Sequence, residues 1–468
     1  MAFTYNAELF NENQNLIVTQ AIKEKIPEDI LEIMTKIDDA SNEPVFSSDQ
    51  LREIYFGFKS GLDVDDIKIY AATKKQEYEY DDKKYIAEES IFDYLQMSTI
   101  QYTLIQIKNN EIDKKNIELL IKLNANNEPV FNAPRMKAVA DGIVYGLDIE
   151  SIQLYTKLNN EKPIFDSMQM SEIYKGLIDS NLQREDVEFY ARLNENDEPI
   201  FDSEQMLEIR WAFIHKFSKD KMDILTKMKD DKPLFHANAM EIISEHLTNA
   251  DAKHIKLFKE FVEEHVNEKI SLDALTSLMN NNIPVDCLRI YRDLHKLGYS
   301  NQQVFKIKCT GSINYKKLKE IKYLATCAEK LGYKEQFANV IYQCENNIKS
   351  FRDEFTYMVL KDKDYTSMDE ANVLQKCLSY KLEPEVIKYM LDAGNSLNAK
   401  GMKVVAIGSL NGLNVKEIDK VRNSVSRSYD DFKEAVEEAI KIKYNDISDI
   451  DDRIDIKTDW FEGKNKER

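Results

Sequence analysis

Four histidines, His236, His246, His254 and His265, lie close together in the chain and raise the possibility of a metal site, because neutral imidazole is the commonest nitrogen ligand. Their spacing argues otherwise. No H-E-x-x-H stands among them and no two are four residues apart, so a structural or surface role is expected. Three stretches rich in Asn and acids, DDASNEP (38–44), LNANNEP (123–129) and LNENDEP (193–199), carry the oxygen ligands that calcium prefers. They lack the alternating Asp-x-Asp-x-Asp-Gly order and the downstream Glu, and Asn and Asp are also the residues of tight turns. Turns are expected. No phosphate-binding G-x-x-x-x-G-K-[ST], no G-x-S-x-G and no G-x-G-x-x-G after a strand occurs. With 83 acidic residues, chance carboxylate pairs are certain and do not imply acid–base catalysis. The expectation is a protein that is not an enzyme, with no cofactor and no metal.

Two places remain as candidate partner contacts. KKQEYEYDDKKY (74–85) interleaves Tyr78, Tyr80 and Tyr85 with charges and reads as an extended loop, and tyrosine offers large contact area at small ordering entropy. The competing reading is an insertion packed on its own repeat. The second place is basic: Lys306, Lys308, Lys316, Lys317, Lys319 and Lys322, with Tyr315 and Tyr323 among them. Such interleaving suits an acidic partner or nucleic acid, and the competing reading is a solvated helix face.

The elements that position these residues follow from a repeat. PVFSSDQL (44–51), IFDYLQM (91–97), PVFNAPRM (129–136), PIFDSMQM (163–170) and PIFDSEQM (199–206) are variants of one motif. Its phenylalanines, Phe10, Phe46, Phe92, Phe131, Phe165, Phe201 and Phe235, are 36, 46, 39, 34, 36 and 34 residues apart. A period near 35 marks an array of helical hairpins. The residue after each of the first six is a good N-cap: Asn11, Ser47, Asp93, Asn132, Asp166 or Asp202. Three residues on, Gln14, Gln50, Gln96, Gln169 or Gln205 completes a capping box, while the Phe before the cap can close over Leu51, Met97, Met136, Met170 or Met206. Eleven residues after the Phe stands a small residue, Ala21, Gly57, Thr103, Gly142, Gly176 or Ala212, which predicts close approach by a neighbouring helix. Gly61-Leu62-Asp63 and Gly146-Leu147-Asp148 end the first helix and cap the second. The motif fades after residue 264, KLGY recurs at 296–299 and 330–333, and GMKVVAIGSLNGLNVKEI (401–418) restores the consensus. Residues 429–444 read as a closing amphipathic helix, acids first and lysines last. The last twenty or so read as a frayed tail. The expected class is all-α: an α-solenoid of antiparallel helix-turn-helix repeats, regular over 1–264 with an insertion near 74–90, diverged over 265–425, and a helix and tail over 426–468.

Charge and cysteines set the function classes. A net charge of −19 repels phosphate backbones, so nucleic acid is an improbable ligand. Cys287, Cys309, Cys327, Cys344 and Cys377 are odd in number and form no C-x-x-C, as in reduced, buried thiols. Neither a signal sequence nor an apolar run of membrane-spanning length is present, so a cytoplasmic location, in bacterial host or phage particle, is expected and no membrane partner. The pattern FDxxQMxEIxxGLxxGLDVxxYA resembles tandem repeats of uncharacterised proteins from bacterial phages and conjugative elements, over residues 10–264 and again over 397–418. Lys25-Ile26-Pro27 and Lys216-Phe217-Ser218 depart from it where Gly-Leu-Asp would stand. The resemblance implies a mobile-element source and assigns no site residue. The expected function is a protein–protein interaction scaffold or adaptor. Two alternatives are an acidic inhibitor of a host nucleic-acid-binding defence enzyme and a helical-repeat RNA-binding protein.

Overall fold

In the computed structural model, residues 3–80, 83–279, 283–305, 312–343, 348–362, 367–393, 396–425 and 428–444 are described. The protein is all-α, 66% helical, and its sheets among the described residues are two-stranded antiparallel hairpins. It divides into two compact units, residues 1–248 and 249–468.

Each repeat of the first unit opens with a helix at the motif: Glu12–Lys23, Ser48–Lys59, Tyr94–Asn109, Ala133–Val144, Ser167–Ile178, Ser203–Ile214 and Ala237–Thr248. A short second helix follows in the first six, for example Val64–Tyr70, Ile149–Tyr155 and Arg184–Tyr190. The capping boxes form at Asn11, Ser47, Asp93, Asp166 and Asp202 with their glutamines. Those glutamines also reach forward. Each buried side chain donates its amide N–H to the carbonyl of the next motif's Phe: Gln14 to Phe46, Gln50 to Phe92 and Gln205 to Phe235 at 2.8 Å, Gln96 to Phe131 and Gln169 to Phe201 at 2.9 Å. In the fourth repeat Arg135 stands at the glutamine position and donates Nε–H to Phe165 O at 3.1 Å. Successive first helices accordingly pack side by side along this unit. Glutamates add a second link, with Arg210 on Glu172 at 3.0 Å and Ser244 donating to Glu208 at 3.1 Å.

The small residue has a different cause from the one expected. What approaches Gly57, Gly142 and Gly176 is the hydroxyl of Tyr70, Tyr155 or Tyr190, on the second helix of the same repeat, where a Cβ would lie about 2 Å from the oxygen. The hydroxyl donates at 3.3 Å to the carbonyl four residues before the glycine, on Glu53, Ala138 or Glu172. Where the position holds Ala21 or Ala212, the second helix offers Met34 or Leu225 instead, which brings no oxygen. The chain thus pairs Gly with Tyr and Ala with an aliphatic residue.

Five of the seven first helices end on a left-handed residue. Gly61 and Gly146 supply it freely at φ 89° and 79°, and Lys25 and Lys216 adopt it at 58° and 54° with the same closing bonds, Ile26 N to Ala21 O and Phe217 N to Ala212 O. A non-glycine there costs about 1 kcal/mol, which the buried Ile26 helps offset. The departures from Gly-Leu-Asp therefore keep the turn.

Helical periodicity did not reveal a third part of the repeat. After the second helix the chain closes a small antiparallel hairpin: Ile37 pairs with Pro44, Leu123 with Pro129, Leu158 with Pro163, Leu193 with Pro199 and Met228 with Pro233. Asn160-Glu161 and Asp230-Asp231 both have positive φ, the two-residue loop that matches strand twist. In the longer loops Asn124 and Asn194 accept two backbone N–H groups each, at 2.9 Å, so the oxygens that resembled calcium ligands close turns.

In the second unit the Ser312–Leu331 helix contacts Val285–Lys296, Lys334–Gln343 and Ile348–Asp362, and also the distant Pro384–Asp392. Tyr323 donates to Leu382 O at 2.7 Å and Lys330 pairs with Glu385 at 3.1 Å. That contact departs from nearest-neighbour stacking, because one long helix spans the width of several short ones. Ala399–Leu410 and Val415–Ser424 restore the repeat, and Tyr429–Tyr444 closes it by setting Val436 against Gly408. Cys287, Cys327 and Cys377 are buried thiols outside any disulfide, with Cys327 and Cys377 pushed up to about 12 by burial. Cys309, Cys344 and the tail lie outside the described residues.

Two substitutions test these contacts. Gly142→Ala should destabilise the unit by about 1–3 kcal/mol through collision with the Tyr155 hydroxyl, and adding Tyr155→Phe should recover most of it in urea denaturation. Gln205→Met should cost about 2–4 kcal/mol by stranding the Asp202 N–H and the Phe235 carbonyl, with faster amide exchange on both sides of that junction.

Candidate functional site: the Thr73–Ser90 hairpin

The segment expected as an extended loop is a β-hairpin. β1 (Thr73–Tyr80) pairs with β2 (Lys83–Ser90) in unbroken antiparallel register from Thr73–Ser90 to Tyr80–Lys83. It occupies the place of the small hairpin that closes the other five of the first six repeats, and the long Phe46-to-Phe92 interval is the length of its strands. Alternation of residues in β1 with one another explains why helix periodicity fails here and strand pairing succeeds.

Tyr78 lies directly opposite Tyr85, and the two are 42% and 40% exposed. Opposite residues share a face, so both rings stand on one side of the ribbon. Tyr80 pairs with Lys83 at the last position of the ladder, and its side chain lies outside the described residues. On the other face Ile86, opposite Glu77, is 53% exposed; sequence reading passed over it because it stands alone among charges. On the tyrosine face Lys74 pairs with Glu89 (3.2 Å) and the Tyr78 hydroxyl is 3.5 Å from Glu89, while Lys84 pairs with Glu77 (3.8 Å) on the Ile86 face.

The base of the ribbon is anchored to the preceding small hairpin. Asp38 accepts the N–H groups of Glu88 (2.7 Å), Ser41 (2.9 Å) and Ala40 (3.3 Å). Lys36 contacts Glu88 at 2.5 Å and Thr73 at 2.9 Å. Ser41 and the Glu88 N–H hold the Asp38 carboxyl at about 2, and burial opposes them. Burial likewise opposes the bonds from Lys36 and Thr73 to Glu88, which outweigh it and keep that carboxyl below the ordinary range. The ribbon is therefore fixed at its root and exposed from Gln76 to Glu79 and from Lys84 to Ile86. No signal in one sequence marks Lys36 or Asp38 as its anchors, since both sit in what reads as a turn.

The basic segment does not form one face. Lys316, Lys317, Lys319 and Lys322 lie on the Ser312–Leu331 helix, where Lys316 and Lys319 are exposed, Lys317 is buried with Nζ 5.4 Å from the Phe351 ring centre, and Lys322 is paired with Asp293. Lys319 sits 4.3 Å over its own helix's Tyr315. Burying one lysine and pairing another leaves no basic patch of four. Lys306 and Lys308 lie outside the described residues. The histidines disperse too: His236 Nδ1 accepts from Ala239 N at the start of a helix, His254 bonds Asp251, and His265 Nδ1 bonds Ile270 O. Among the described residues no three His, Cys, Asp or Glu side chains are grouped to hold a metal ion, and no helix is long and apolar enough to cross a membrane. Compared with known proteins, the chain matches no family model, no curated protein and no solved structure.

The anchor makes hairpin docking acid-labile. Because folding lowers the Asp38 pKa to about 2 from 3.8, its contribution is complete above the unfolded value and is lost as pH falls from about 4 toward 2. Exchange of the Glu88 amide should accelerate across that window, and Asp38→Asn should make it fast already at neutral pH.

Proposed function

We propose that the protein is a non-enzymatic protein–protein interaction scaffold, its first unit an α-solenoid of repeats of about 35 residues that holds the Thr73–Ser90 ribbon toward another protein. The observation that supports this most directly is the ribbon itself. The other five of the first six repeats close with a short turn, while this one extends two eight-residue strands and exposes Tyr78, Tyr85 and Ile86 toward their far end. Exposed aromatics on a rigid, root-anchored strand lose little freedom on binding, which favours a contact role over a packing role. The repeat links from Gln to Phe supply the rigidity. A structural component of a phage or mobile element is the setting that the sequence resemblance suggests. The −19 charge favours one alternative, an acidic inhibitor of a basic nucleic-acid-binding enzyme, whose complex would weaken steeply with salt.

A replacement isolates the ribbon. Exchanging Thr73–Ser90 for the Leu158–Pro163 sequence restores the normal repeat spacing and should leave helix content and melting unchanged. Purified from its native host, the wild-type chain should carry a stoichiometric protein that the shortened chain lacks. Equal recovery of that protein with both chains would refute the ribbon's role.

A further inference from the structure

We propose that two copies of the chain pair through the outer edge of β1, antiparallel about a two-fold axis at Gln76. The backbone fixes which groups are available. Ile91 N donates to Ala72 O at 3.0 Å, continuing the ladder past the strand ends, whereas the Glu88 N–H turns away from β1 to Asp38. In an antiparallel ladder the residues alternate, so Lys74, Gln76 and Tyr78 direct their backbone groups to β2, and Thr73, Lys75, Glu77 and Glu79 direct theirs outward. The outer edge of β2 is engaged at Glu88. The outer edge of β1 ends in exposed residues from Gln76 to Glu79.

The occupant follows from the order of charges. β1 reads Thr73-Lys74-Lys75-Gln76-Glu77-Tyr78-Glu79, lysines before the centre and glutamates after it. Laid antiparallel on itself about Gln76, the strand places Lys75 opposite the partner's Glu77 and Glu77 opposite the partner's Lys75. Both are outward-facing positions, so each such pair exchanges two backbone hydrogen bonds. Thr73 meets the partner's Glu79, Lys74 meets the partner's Tyr78, and Gln76 meets its own copy, whose amide both donates and accepts. No like charges stand opposite. A parallel, in-register pairing would set Lys on Lys and Glu on Glu. Charges on an open edge ordinarily repel other strands; here their order rejects generic strands and accepts one of the same sequence. Across the resulting four strands one face carries the row Tyr85, Tyr78, the partner's Lys74 and the partner's Glu89, which puts a cation against an aromatic ring at the new junction.

The inference is separable from the scaffold reading, because it concerns one strand edge and is read by self-association alone. Sedimentation equilibrium of the full chain at low salt should show a concentration-dependent dimer that added salt weakens. Lys75→Glu and Glu77→Lys should each lower the association constant by about tenfold or more, since each places like charges opposite twice. Circular dichroism and melting should stay as in the wild type. An equimolar mixture of the two variants should regain the dimer, because Lys75→Glu carries only acids and Glu77→Lys only bases at the paired positions. A wild type that stays monomeric to millimolar concentration, a dimer that neither reversal weakens, or a mixture no more associated than its parts would each overturn the proposal.

Discussion

The glutamine side chain at the third position of each first helix carries two duties with one amide. Its oxygen accepts the N–H of the N-cap in its own repeat, and its nitrogen donates to the Phe carbonyl of the next. The forward bond is buried, so it cannot be exchanged for water without loss, and it fixes the start of one helix relative to the start of the next. A capping box alone would leave the repeats free to slide. The second bond removes that freedom, and the side-by-side packing of the first helices follows from it. Arg135 preserves the duty toward the next repeat with a different nitrogen while dropping the return cap, which shows which of the two functions the array retains at that junction.

Inside each repeat the spacing of the two helices is set by a different contact, the tyrosine hydroxyl pressed onto a helix that has no Cβ to meet it. The hydroxyl satisfies itself on a main-chain carbonyl, so its burial strands no donor, and burial drives the phenol far above its ordinary pKa in Tyr70, Tyr155 and Tyr190. Repeats that use alanine and an aliphatic residue solve the same packing with less polar material. Two contacts, one between repeats and one within, therefore account for most of the regularity of residues 3–248. In the second unit the long Ser312–Leu331 helix and its contact with Pro384–Asp392 replace that regularity with a core shared across a greater sequence distance.

The Thr73–Ser90 ribbon is the place where this economy is broken. A turn of a few residues suffices to pass from one repeat to the next, as Asn160-Glu161 demonstrates, yet here the chain builds a ladder exposed from Gln76 to Glu79 and from Lys84 to Ile86. Its root is held by the buried Asp38 and by Lys36, so it projects from a fixed base. A projecting ribbon with an ordered sequence of charges is material for recognition, by another protein on its aromatic face or by another copy on its edge.

Much of this was legible without coordinates. The caps, the helix starts, the left-handed glycines and the closing helix over 429–444 are local events, decided by residues three or four apart, and local spacing writes them into the sequence. The small residues at Gly57, Gly142 and Gly176 were visible too, although their cause, the hydroxyls of Tyr70, Tyr155 and Tyr190, was not. Other features belong to partners distant in the chain, and only the tertiary structure decided them. The forward reach of each glutamine, the conversion of an apparent loop into a ribbon, its anchorage on Asp38, and the burial of Lys317 beside exposed Lys316 all depend on which surfaces meet. A sequence states what each residue can bond, and folding alone selects the neighbour that it bonds.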